Sequence, residues 1–257
     1  MEGLLSLRKV WLSYPRGRRH VVRVLVDVSL DLQAGEVVAV IAQRAQGKTS
    51  LLRIAAGMER PDLGSVLLDG RDLWRPANGA RHRRTRRGHR RRDSTRPLGA
   101  ALALVRASAP DVDVPVLEGI ALPRAAARSR RHARESAGRS LQRVGAEECA
   151  SRRWSDLSDC ERARVAIAQA LVREPRLLLI DDLTTTLNLG ETERVAMLLH
   201  ALAVEHGLGV LMSVSDARAT QWSERVATLA GGELLLEPMG TETSPADQAN
   251  VISFPGS

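Results

Sequence analysis

Lysine is nearly missing from this 257-residue chain: of 38 basic residues only Lys9 and Lys48 are lysine, and the rest are arginine. A lysine kept where arginine is the habit marks a position that needs a compact ammonium and not a planar fork. Aromatic side chains are almost as scarce, being Trp11, Tyr14, Trp74, Trp154, Trp222 and Phe254. Cysteine is reduced to Cys149 and Cys160, without metal-ligand spacing, which argues against both a zinc site and a disulfide framework. No apolar run approaches the roughly 20 residues that span a bilayer. The N-terminus carries an early acid and too short an apolar stretch for a secretory leader, so a soluble cytoplasmic protein is expected.

What is present is a globular composition, 44% hydrophobic, in a chain long enough for one large α/β domain or two small ones. Residues 4–14 and 21–32 alternate apolar and polar, the period of strands with one buried face. Val37–Ile41, Leu177–Ile180 and Val210–Met212 are short apolar runs suited to strands buried on both faces. Helices are expected at 49–56, within 115–147, at 162–172 and at 192–205. Hairpins are expected around Asp69-Gly70 and Gly231-Gly232. Buried strands alternating with helices imply a mostly parallel sheet covered on both sides, with ligands beyond the carboxyl ends of the strands. Residues 237–257 read as a loose polar tail.

The strand at 37–41 runs into Ala42-Gln43-Arg44-Ala45-Gln46-Gly47-Lys48-Thr49-Ser50 and then a helix, the setting of a phosphate-binding loop. Backbone N–H groups and the positive helix N-terminus hold phosphates in such a loop. Lys48 would reach the terminal phosphates, and the Thr49 hydroxyl would bind Mg²⁺. Ala42 and Ala45 stand where glycine is usual, and at a positive φ each alanine costs roughly 1–2 kcal/mol, so a strained or reshaped loop is expected. Asp181, closing the strand at 177–180, is placed as the acid that holds the water on Mg²⁺.

Over roughly residues 3–236 these motifs, in this order, resemble the ATP-binding subunit of ABC transporters. The match extends through Ala55-Ala56-Gly57-Met58-Glu59-Arg60-Pro61-Asp62-Leu63-Gly64-Ser65-Val66, through Leu157-Ser158 with Arg164–Leu171, and through Glu174-Pro175-Arg176. The stretch Val116–Pro123 is similar to exporters of the lipoprotein-releasing and macrolide-export type. The resemblance implies an α/β P-loop ATPase fold of ABC type: a mostly parallel core, an N-terminal antiparallel β-subdomain and a helical subdomain at about 97–160. It implies bound ATP and Mg²⁺, Tyr14 stacked on adenine, and Ser158 donating to the nucleotide across a homo- or heterodimer. It also implies a membrane permease as partner, holding the chain at the inner face of the cell membrane.

Five departures from that family concern hydrolysis. Asp182 stands where the resemblance expects a catalytic glutamate, and losing a positioned base costs roughly 10²–10⁴-fold. The signature reads Leu157-Ser158-Asp159-Cys160-Glu161, so Asp159 and Glu161 would set carboxylates near a partner's phosphate. No glutamine occurs between Gly47 and Leu141, and Arg92 is the nearest positional match to the expected one. No histidine follows His206, leaving Ser215 in the switch position before Asp216. Asn188 replaces an aspartate. Binding of Mg-ATP with slow or abolished hydrolysis is therefore expected, the alternative being a non-hydrolysing regulatory protein of the same fold.

Nine arginines lie between Arg81 and Arg96 without interleaved aromatics. A basic run of this kind suits nucleic acid or anionic lipid. The missing aromatics argue against base stacking. The segment is read instead as standing in place of a core strand that leads to the glutamine.

Overall fold

Strands with one apolar face pair side by side and turn that face to a shared core, and the two long period-two segments do so. In the computed structural model, residues 3–16, 20–43, 45–74, 102–105, 114–125, 129–182, 186–215 and 220–236 are described. β1 (Leu5–Arg16) and β2 (His20–Leu32) run antiparallel. The second sheet begins with β3 (Val37–Ile41). The other edge of β1 pairs with β4 (Leu63–Leu68), which turns into β5 (Arg71–Asp72), giving a sheet of order β2-β1-β4-β5. Asp69 and Gly70 make that turn with φ of 50° and 71°, the mirror-image geometry that matches strand twist in a two-residue hairpin.

The second sheet adds β6 (Leu102–Val105), β7 (Leu177–Asp181), β8 (Gly209–Val214), β9 (Arg225–Ala230) and β10 (Glu233–Leu236). Its order is β10-β9-β3-β8-β7-β6, parallel throughout except for the antiparallel β9–β10 hairpin. Period-two alternation makes this sheet the wall between two cores. Val37 and Ala39 of β3 and Leu178 and Ile180 of β7 face one core, shared with α4 (Asp159–Leu171) and α5 (Leu189–His206). Val38, Val40, Leu177 and Leu179 face the other, shared with α1 (Lys48–Ala55) and the four-stranded sheet. A fully buried leucine such as Leu51 or Leu171 contributes about 1.5–3 kcal/mol relative to exposure. The sheets are joined by the Val26 N–H donating to the Gly232 carbonyl at 2.8 Å and by Arg176 paired with Asp69 at 2.7 Å.

Two expectations change. The helical stretch at 115–147 divides into α2 (Val116–Ala125) and α3 (Arg130–Arg143), because Ser129 accepts the His132 N–H and caps a new helix start. The core strand thought lost to the arginine run is present as β6, parallel to β7 from Leu102↔Leu177 to Val105↔Ile180. Leu102-Ala103-Leu104-Val105 is four residues long and carries a single β-branched residue, too little for a distinctive strand signal. The position after that strand is therefore Arg106, not Arg92, and the bound of about 97 for the helical subdomain takes in a strand of the core sheet. Arg81–Arg96 and residues 237–257 lie outside the described residues. No described helix is long and apolar enough to cross a membrane.

Candidate functional site

The loop after β3 closes on Gly47, the residue before α1, with φ 99°. A Cβ there would stand 2.8 Å from Val24 Cγ1 and 3.0 Å from the Val24 carbonyl, so only glycine fits. Among the described residues no side chain caps α1 and no acid occupies its first turn, which leaves its first amides directed outward for an anion.

Lys48 is 8% exposed. Its Nζ donates to the Ala42 carbonyl at 2.8 Å and to Ser215 Oγ at 2.8 Å. Ser215 in turn donates its hydroxyl hydrogen bond to Asp182 Oδ1 at 3.2 Å, so one hydroxyl links the loop ammonium to the carboxylate just past β7. Asp182 has φ 52°, and its N–H donates to Ser213 Oγ at 3.0 Å. Neighbouring Asp181 Oδ1 accepts from Thr49 Oγ1 at 3.1 Å. This hydroxyl and carboxylate are hard oxygen donors brought together from α1 and β7, the chemistry that suits Mg²⁺.

A cleft of about 330 Å³ lies along the loop from Ala45 to Ser50, with Gln43, Tyr14, Val24 and Asp182 completing its lining. The size is that of a small-molecule site. Tyr14, from β1, donates its hydroxyl to Glu59 Oε2 at 2.8 Å and meets Ser50 Oγ at 3.2 Å. Burial pushes its phenol pKa up; the Ser50 contact opposes this and the Glu59 carboxylate adds to it. Gln46 Oε1 accepts the Gly231 N–H at 3.3 Å, holding the loop to the β9–β10 turn. Ala45 has φ 63° and carries the expected strain, whereas Ala42 keeps a negative φ and does not. Arg44 lies outside the described residues.

Ser158 is not in this cleft. Its hydroxyl accepts the Glu161 N–H at 3.3 Å while Glu161 Oε2 accepts the Ser158 N–H at 2.7 Å, a reciprocal cap at the start of α4. The expected bare carboxylates of the signature are paired. Glu161 meets Arg152 at 2.6 Å and Asp159 meets Arg162 at 3.1 Å, so their repulsion of a facing phosphate is reduced. The Ser158 N–H, foremost, and then Arg152 hold the Glu161 pKa below its usual value against the opposing effect of burial. Asn188 caps α5, its side chain accepting the Glu191 N–H at 3.0 Å.

Sequence reasoning missed Glu59 and Ser213. Glu59 sits in a turn whose only signal is loop composition, and Ser213 is one residue in an apolar strand.

Comparison with known proteins gives one family model, described as ABC transporter, matching residues 25–185. The lipoprotein-releasing system ATP-binding protein LolD of Syntrophotalea carbinolica is 34% identical over 233 residues, covering 90% of this chain and 97% of that protein. The macrolide export ATP-binding/permease protein MacB 1/2 of Paracoccus denitrificans is 33% identical over 242 residues, covering 91% of this chain but 33% of that longer protein. The dimeric bacterial ABC transporter cassette MJ0796 superposes with TM-score 0.76 at 25% identity, covering 92% of this chain and 99% of that one. A post-hydrolysis dimer of the same cassette, bound to ADP and Pi, superposes with TM-score 0.74 at 25% identity and the same coverage.

Proposed function

Since the chain belongs to the ABC transporter family, we propose that it is an ATP-binding subunit that takes up Mg-ATP, works with a membrane permease and turns ATP over slowly or not at all. Residues 1–236 form the cassette in this proposal and 237–257 a tail. Tyr14 stacks on the adenine. Gly47, Lys48 and the amides of the loop from Ala42 to Ser50 hold the phosphates. Thr49 and Asp181 hold Mg²⁺, which when bound supplies positive charge to the terminal phosphates. Ser158 faces the nucleotide of a partner cassette.

Slow turnover is supported by what the remaining polar groups do. A general base must be free to take a proton from water within hydrogen-bond reach. Asp182 is one methylene shorter than glutamate and accepts the Ser215 hydroxyl, whose oxygen is engaged by Lys48.

The observation that carries the proposal is the buried Lys48 ammonium at the turn from β3 into α1. Calorimetric titration with Mg-ATP is expected to give binding in the native chain and its loss, on the order of a hundredfold or more, in Lys48→Ala, as removal of a charge-assisted phosphate contact requires. Unchanged affinity in that variant overturns the assignment. Steady-state phosphate release at the rate of an ordinary transporter ATPase overturns the slow turnover alone.

A further inference from the structure

Tyr14 is the single tyrosine of the chain and its hydroxyl is fully engaged. The acceptor is Glu59, a carboxylate whose side chain is 13% exposed and which Arg53 Nε approaches only to 4.0 Å. So sheltered a carboxylate makes a short, directional bond to the Tyr14 O–H and fixes the direction of that donor. Glu59 is in turn held firmly. Just past the end of α1 the chain turns at Gly57 with φ 63°, and the Met58 and Glu59 N–H groups fold back onto the Arg53 carbonyl at 2.8 and 3.2 Å. This is the closing turn of a helix that starts at Lys48.

α1 therefore touches the cleft twice. Its first residue carries the ammonium aimed at the phosphates. The turn that ends it, together with Ser50, grips the phenol of Tyr14. An eight-residue helix is about 12 Å long, so one rigid element sets the phosphate loop relative to the ring.

We propose that Glu59 is a positioning residue for the nucleotide base: by accepting the hydrogen bond of the Tyr14 hydroxyl it fixes where the Tyr14 ring lies against the cleft and links that ring to the phosphate loop through α1. The proposal rests on Tyr14 being the base-stacking residue. Loss of the Glu59 carboxylate lets the ring swing away from its place in the cleft and weakens stacking on an aromatic base. A ligand with phosphates and no base is unaffected.

The test compares Glu59→Ala, Glu59→Gln, Tyr14→Phe, Tyr14→Ala and the double variant Glu59→Ala with Tyr14→Phe. Mg-ATP and Mg-tripolyphosphate affinities are measured by calorimetry on the full chain. Glu59→Ala and Tyr14→Phe are each expected to weaken Mg-ATP by roughly three- to tenfold, a part of what one stacked base contributes. The double variant should lose no more than either single one, because both remove the same bond. Glu59→Gln should keep near-native affinity through its amide oxygen, and tripolyphosphate affinity should not move. Phenolate absorbance, which reports Tyr14 alone, should rise at lower pH in Glu59→Ala.

Weakening in Tyr14→Ala without weakening in Glu59→Ala overturns the positioning role and leaves the stacking intact. Additive losses, a parallel loss of tripolyphosphate affinity or an unmoved phenol titration overturn it as well. Native Mg-ATP affinity in Tyr14→Ala overturns the stacking itself, and the role of Glu59 with it.

Discussion

Ala42 and Ala45 are expected to answer substitution by glycine in opposite directions. Ala45 holds φ 63°, a conformation that costs an L-residue with a Cβ about 1 kcal/mol or more. Against this, glycine adds unfolded-chain entropy of about 0.4–1 kcal/mol. The balance favours Ala45→Gly by up to about 1 kcal/mol, seen as a higher urea midpoint with unchanged slope. Ala42 keeps a negative φ and is 7% exposed in the core beside α1, so Ala42→Gly releases no strain and loses a packed methyl. Its midpoint should fall, by about 0.5–1 kcal/mol of stability. A rise in both variants would show that the loop is strained along its whole length and not at one residue.

At the level of elements, the starts of α4 and α5 are built alike, each by a reciprocal cap. Asn188→Ala should cost about 0.5–2 kcal/mol of stability, and Asn188→Asp should be nearly neutral because both side chains cap equally well. Glu161 adds a pH dependence. Its pKa in the folded chain lies below the ordinary 4.5, chiefly through the Ser158 N–H and then Arg152. Its contribution is thus fully present above pH 4.5 and is lost as pH falls towards the lower folded value. The stability gap between the native chain and Glu161→Gln, measured by urea unfolding, should be constant near neutrality and close in acid. A gap that widens below pH 4.5 would contradict the arrangement.

Elements were legible where physical chemistry is local. β3 and β7 announce themselves by continuous apolar runs, the two hairpins by Asp-Gly and Gly-Gly, and the phosphate loop by Gly47-Lys48-Thr49 between a strand and a helix. β6 was not legible, since four residues of leucine, alanine and valine after an arginine run carry no distinctive period. The division between α2 and α3 was hidden by the abundance of alanine, arginine, glutamate and leucine around it, although Ser129 is a capping residue. Contacts between distant segments were beyond reach in principle. Neither Ser215 receiving Lys48, nor Arg152 neutralising Glu161, nor Glu59 holding Tyr14 follows from spacing along the chain, because the fold alone brings each pair together.

For the whole molecule, a ligand that binds only the folded chain raises its stability by mass action. At one hundred times its dissociation constant the gain is about 2.7 kcal/mol. For a chain of this size that is roughly 5–10 °C in melting temperature. Mg-ATP should therefore raise the thermal midpoint of the native chain by that order, and should leave Lys48→Ala unmoved in the same scan. An equal shift in both would show that the nucleotide binds elsewhere.

The six-stranded sheet is the one wall that both halves of the molecule lean on, and neighbouring residues along a strand belong to opposite rooms. Trimming Val38, Val40 or Leu179 loosens the chamber around α1, whereas trimming Leu178 or Ile180 loosens the one behind α4 and α5. Damage along β3 and β7 is thus sorted by parity: one step in sequence separates a lesion felt by the loop before α1 from a lesion felt by α4 and α5.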